Sequence, residues 1–174
     1  MKPIKNMPTW LANSIFVKIT IDENKNEKVD TVILDGLDID VFFSLIYLTS
    51  QSYDFDKNTP KKLLYSYKLV DIRKVMEKKT NINNSLIKLD GLQIVSNIFE
   101  SYGDSGSVIY KPFSITLQKD KSNPKIIGKA KITVEEDFIK AFTNPNPKFT
   151  LSYELLSEFT YPQAKMLYIL LFNH

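Results

Sequence analysis

Leu69-Val70-Asp71-Ile72-Arg73-Lys74-Val75-Met76-Glu77-Lys78-Lys79-Thr80-Asn81-Ile82-Asn83-Asn84-Ser85-Leu86-Ile87-Lys88-Leu89 is the stretch that decides the fold. Its first part predicts a helix over residues 70–78, with Ile72, Val75 and Met76 on one face. Lys79-Thr80 breaks that helix, and a second is expected over residues 82–92. There Ile82, Leu86, Leu89 and Gln93 line one side, while Asn81, Asn84, Ser85 and Lys88 gather on the other. Two short helices joined by a tight turn read as a helix-turn-helix.

Working outward, residues 63–69 form a short strand leading into the first helix, and residues 53–60 form a loop. Upstream, Asp38 is placed as the N-cap of a buried helix reaching about Ser50 and carrying Val41, Phe42, Phe43, Leu45, Ile46 and Leu48. Asp38 and Asp40 make a D-x-D pair, better explained by capping and dipole complementarity than by a metal. Residues 14–20 are β-branched and aromatic, so a strand is expected, with 22–28 as a turn and 32–34 pairing back.

Downstream, residues 94–102 and 107–117 flank Gly103-Asp104-Ser105-Gly106 and predict a hairpin. From Ile126 to Val134 apolar residues alternate with Ile127, Lys129, Lys131 and Thr133, a half-buried strand. Glu135-Glu136-Asp137 opens a helix to about Phe142, and Asn144-Pro145-Asn146-Pro147 stops it. Residues 149–159 are expected to be a short helical segment, and a last helix starts at Thr160-Tyr161-Pro162. It is still apolar at Phe172, so the chain is expected to be the front part of a longer protein. The fold class is α+β: a winged helix, made of helix-turn-helix and β-hairpin wing, with additional strands and C-terminal helices. Residues 1–34 are an N-terminal strand extension, and 35–174 the winged-helix domain.

Composition narrows the chemistry. The 174 residues contain no cysteine, and the only histidine is His174. Disulfides, cysteine nucleophiles, His–Asp relays and two-histidine metal sites are thereby excluded. No enzyme, cofactor or metal is expected. Nine tyrosines are present, but the histidine-lined metal site that a relaxase places beside its tyrosine is lacking. The longest apolar run, residues 41–48, is far short of the ~20 residues of a membrane span, so no membrane partner and a cytoplasmic location are expected. The formal net charge of +3 conceals a polarity. Residues 22–56 hold nine acidic side chains against Lys25 and Lys28, and residues 57–88 hold nine basic ones against Asp71 and Glu77. Such asymmetry marks either a nucleic-acid surface or two faces that attract one another within one fold.

The basic block coincides with the helix pair. Lys61, Lys62, Arg73, Lys74, Lys78 and Lys79 are placed as phosphate contacts around it, together with Lys111 of the hairpin. Asn81, Asn84, Ser85 and Lys88 are the candidate readers, since Asn can pair an adenine edge and Lys can reach a phosphate or guanine.

Several segments resemble one family. Leu37-Asp38-Ile39-Asp40-Val41-Phe42-Phe43-Ser44-Leu45-Ile46 resembles the opening helix of the first winged-helix domain of plasmid replication initiators, the Rep proteins of iteron-controlled, theta-replicating plasmids. Tyr67-Lys68-Leu69-Val70-Asp71-Ile72-Arg73-Lys74-Val75-Met76 is similar to that domain's strand-into-helix step, and residues 86–98 to its next helix and first wing strand. Ala130-Lys131-Ile132-Thr133-Val134 resembles its last strand. Phe149-Thr150-Leu151-Ser152-Tyr153-Glu154-Leu155-Leu156, then Ala164-Lys165-Met166-Leu167-Tyr168-Ile169-Leu170-Leu171, are similar to its closing segment. Residues before Asp35 depart from the pattern, Lys165 stands where the family often has Arg, and no second winged helix is present.

The resemblance implies a replication initiator domain that binds double-stranded origin DNA, mediates homodimerisation, or both. It also implies recruitment of the host initiator and helicase. The alternative is a winged-helix transcriptional regulator or protein-interaction module without DNA affinity of its own.

Overall fold

The computed structural model describes residues 2–8, 11, 14–54, 59–60, 66–77, 80–99, 105–119, 121–122, 127–141 and 148–171. Its elements are β1 (Pro3–Pro8), β2 (Ile15–Ile21), β3 (Glu27–Thr31), α1 (Gly36–Ser52), β4 (Tyr53–Asp54), β5 (Thr59–Pro60) and β6 (Ser66–Lys68). There follow α2 (Leu69–Met76), α3 (Asn83–Leu89), β7 (Leu92–Phe99), β8 (Ser105–Tyr110), β9 (Phe113–Lys119) and β10 (Ile127–Val134). The chain continues with α4 (Glu136–Ala141), β11 (Lys148–Ser152), α5 (Tyr153–Glu158) and α6 (Pro162–Leu171). The fold is mixed α+β, as expected.

Helix α1 is the centre. Ile39, Val41, Phe42, Phe43, Leu45 and Ile46 are all buried along it. Phe42 meets the rings of Phe16, Phe43 and Phe113 edge-on at centroid distances of 5.7, 5.2 and 5.4 Å. Edge-to-face geometry suits the aromatic quadrupole. The start of α1 differs from expectation: Asp35, not Asp38, caps it. Asp35 Oδ1 accepts from the amides of Leu37 and Asp38, each at 2.9 Å, and Asp38 Oδ2 accepts from the Asp35 amide at 2.9 Å. This reciprocal capping box places the second carboxylate at the third helical position. The D-x-D pair is split accordingly, because Asp40 turns inward to the ammonium of Lys165.

Two larger sheets flank the helices. One runs β6-β10-β9 and the other β3-β2-β7-β8, all antiparallel. The hairpin expected over 94–117 is cut at Lys111-Pro112. Its first part pairs β7 with β8, from Ile94↔Tyr110 to Phe99↔Ser105, while residues 100–104, which include Gly103-Asp104 of the expected turn, lie outside the described residues. Pro112 has no N–H to give to a ladder, so the pairing ends there and β9 joins the other sheet. The hairpin beside the helix pair is therefore β9–β10.

Three other segments differ from the sequence reading. The partner of β2 is β3, and of residues 32–34 only Val32 bonds to β2, its amide donating to the Phe16 carbonyl at 2.8 Å. Asp22 Oδ1 accepts from the Asn26 amide at 2.7 Å, and Lys25 takes a left-handed φ of 63°. That turn closes at Asn26 and sets the register Ile21↔Glu27. Residues 149–159 are not one helix. Phe149-Thr150-Leu151 pairs with β1, and α5 starts only at Tyr153, where Ser152 Oγ accepts from the Leu155 amide at 3.4 Å. Strand β1 itself carries no alternation visible in sequence, yet its Ile4 and Met7 belong to the same core as α1. Residues 53–60, expected as a loop, hold the short β4–β5 pair.

The C-terminal helices are tied to α1 through buried polarity. Lys165, 1% exposed, pairs with Asp40 and donates to the Leu156 carbonyl at 3.0 Å. The Tyr153 hydroxyl donates to the Asp40 carbonyl at 3.4 Å. Burial, then the nearby charges of Asp40 and Glu77, pushes the Tyr153 phenol far above its ordinary range. Among the described residues, no helix is long and apolar enough to cross a membrane.

Candidate nucleic-acid interface

Helix α2 buries the face that the spacing suggested, and α3 departs from expectation on its polar side, at Ser85 and Lys88. In α2, Leu69, Ile72, Val75 and Met76 turn inward, leaving Arg73 and Lys74 exposed in the last turn. Cations suit that position, because the carbonyl end of a helix carries partial negative charge. The helix stops at Met76, where Glu77 adopts a left-handed φ of 55° and its amide bonds the Arg73 carbonyl at 2.9 Å.

In α3 the apolar stripe holds as expected: Ile82, Leu86 and Leu89 are buried. The helix ends earlier than expected, at Leu89, and Gly91 turns the chain with φ 68°. Of the four expected readers, the structure leaves Asn81 and Asn84 on the surface. Asn81 Oδ1 accepts from the Asn83 amide at 3.0 Å, which fixes the entry to the helix. Ser85 is only 2% exposed, because it falls between Ile82 and Leu89 on the buried stripe, so it leaves the candidate surface. Lys88 reaches across to α1: its Nζ lies 2.5 Å from Asp38 Oδ2 and 3.9 Å from Asp35 Oδ2. The ammonium thus completes the charge balance of the capping box instead of standing free. Ile87, not singled out in the sequence, is half exposed beside Asn84. Its carbonyl accepts from Lys18 Nζ at 3.1 Å, which anchors α3 to β2.

Lys111 is exposed, as Arg73 and Lys74 are. Lys61, Lys62, Lys78 and Lys79 lie outside the described residues.

The sheet beside this helix pair supplies cations that the sequence reading did not select. Lys68 on β6 stands directly opposite Lys131 on β10, and Lys131 directly opposite Thr116 on β9. All three are exposed, while the next row, Tyr67–Ile132–Ile115, faces the core. Like charges directly opposite on neighbouring strands repel and cost stability. Lys119 and Lys121, both exposed, stand at the far end of the β9–β10 hairpin. The signal for Lys131 was present in the alternation of residues 126–134, whose polar parity it occupies. Its juxtaposition with Lys68, 63 positions earlier in the chain, was not, because strand pairing across that distance leaves no local pattern.

Among the described residues, no three carboxylate or imidazole side chains gather where a metal could be held. No family model, curated protein or solved structure matches the chain.

Proposed function

We propose that this chain is a DNA-binding domain of winged-helix type, of the kind that serves plasmid replication initiation. Support comes first from topology. The order α1, β6, α2, α3, β9, β10 with sheet order β6-β10-β9 is that of a helix-turn-helix followed by a wing, with β7–β8 inserted before the wing. Helix α3 is then the reading helix, offering Asn84 for an adenine edge and Ile87 for a thymine methyl. Arg73 and Lys74 on α2, with Lys119 and Lys121 at the wing tip, are phosphate contacts that set orientation and register.

The observation that carries the reading is the opposed pair Lys68 and Lys131. A fold gains nothing from two exposed ammonium groups held on facing positions, whereas a phosphate backbone neutralises both. Lys131→Glu provides the test. It converts repulsion into a cross-strand ion pair, so chemical denaturation should show a gain of about 0.5–1 kcal/mol. Affinity for duplex DNA, read by fluorescence anisotropy, should fall in the same variant. Unchanged affinity would remove the DNA role from this sheet. Absence of duplex binding by the unaltered chain even at low salt would instead favour a protein-interaction module, in which Ile87 meets a protein partner.

A further inference from the structure

Strand β3 is an open edge whose sequence is complementary to itself. Its five residues, Glu27-Lys28-Val29-Asp30-Thr31, pair on one side with β2 and are all exposed. Among the described residues no strand occupies the other side.

Two hydrogen bonds fix which backbone groups face that open side. The Val32 amide donates to the Phe16 carbonyl at 2.8 Å, and the Asp22 amide to the Asn26 carbonyl at 3.0 Å. They bracket the ladder at both ends and agree in phase. Hydrogen-bonded positions alternate along an antiparallel pair, so Lys28 and Asp30 turn their backbone groups toward β2. Glu27, Val29 and Thr31 turn theirs outward.

The side chains repeat the logic. An antiparallel pairing of two β3 strands with its two-fold axis at Val29 sets Val29 against Val29 as a hydrogen-bonded pair. Glu27 then faces the second copy's Thr31, also with outward backbone groups. Lys28 faces the second copy's Asp30, and Asp30 the second copy's Lys28, an attraction made twice by symmetry. Within one chain Lys28 and Asp30 already form an exposed ion pair at 2.9 Å. Val29, 59% exposed, lies beside Ile19 on the sheet face turned away from Lys28 and Asp30, so its apolar row continues across the axis.

Charges on an edge strand ordinarily block pairing with other chains. Here the Lys28–Asp30 spacing rejects a strand of uniform charge but accepts its own copy. We infer that β3 is a homodimerisation edge, pairing antiparallel with β3 of a second copy about Val29 to make one sheet of eight strands. This inference stands apart from the DNA reading and does not depend on it.

Sedimentation equilibrium of the full chain tests it, with circular dichroism as the check on folding. The unaltered chain should dimerise. Lys28→Asp or Asp30→Lys alone places like charges opposite twice and should weaken the dimer by about tenfold. The double variant Lys28→Asp with Asp30→Lys restores both pairings and should recover it. Val29→Pro deletes an outward amide that β2 does not use and should give a monomer with the β2–β3 hairpin intact. A monomer for the unaltered chain at several hundred micromolar would overturn the inference. So would a dimer that all four variants leave unchanged.

Discussion

Lys165 shows how much a single buried charge can decide. Its ammonium, with Asp40, lies inside the junction of α1, α5 and α6. Removing one partner strands the other without solvent. Lys165→Met is therefore expected to lose about 3–5 kcal/mol of stability in urea denaturation. The double variant Asp40→Leu with Lys165→Met, which removes both charges, should recover most of that loss. Equal loss in both would mean that packing, not charge pairing, sets the cost. Tyr153 beside them adds a pH dependence. Its phenol is held protonated by burial and by the negative charge of Asp40 and Glu77. Below about pH 10 both folded and unfolded states keep that proton, and nothing changes. Above it the unfolded chain releases the proton while the folded chain withholds it, so stability falls as pH rises. Tyr153→Phe should flatten the fall in urea midpoint between pH 9 and 11; an unaltered slope would assign the alkaline loss to other groups.

At the level of elements, Asp35 and Asp38 explain both what the sequence made legible and what it did not. An acidic start to α1 was plain, because a buried apolar run followed Asp38 at once. Which aspartate caps was not plain, since either could accept from the first amides. The choice was made by the reciprocal bonds of the box and by Lys88 arriving from α3, 50 positions away. Asp35→Ala should lower stability by about 1 kcal/mol in thermal or urea unfolding. A change near zero would place the cap elsewhere. The same limit governs the candidate site. The stripe Ile82, Leu86, Leu89 was readable by period, and so was the helix pair. That Ser85 joins the stripe depends on the exact azimuth of a helix of seven residues, which spacing alone leaves loose. The hairpin expected over 94–117 was drawn too long for a comparable reason. Residues 107–117 look like one strand, and only Pro112, an inconspicuous residue in a long β-prone run, passes the chain from one sheet to the other.

Across the whole molecule, the acidic and basic blocks of the sequence are partly joined and partly separate. Lys88 spans them by pairing with Asp38, and Lys28 answers Asp30 within the β2–β3 hairpin. Arg73, Lys74, Lys119, Lys121 and the opposed Lys68 and Lys131 remain on the surface of α2 and the β6-β10-β9 sheet. If this surface binds duplex DNA as proposed, it neutralises phosphates and releases their counterions, and its affinity depends steeply on salt. The most direct measurement of the central claim is duplex DNA affinity by fluorescence anisotropy over a series from about 50 to 200 mM salt. Log affinity should fall linearly with log salt, with a slope shallower by about one for each of Lys119→Gln, Lys121→Gln and Lys131→Gln. No binding at the lowest salt, or a slope that none of the three substitutions changes, would contradict that claim.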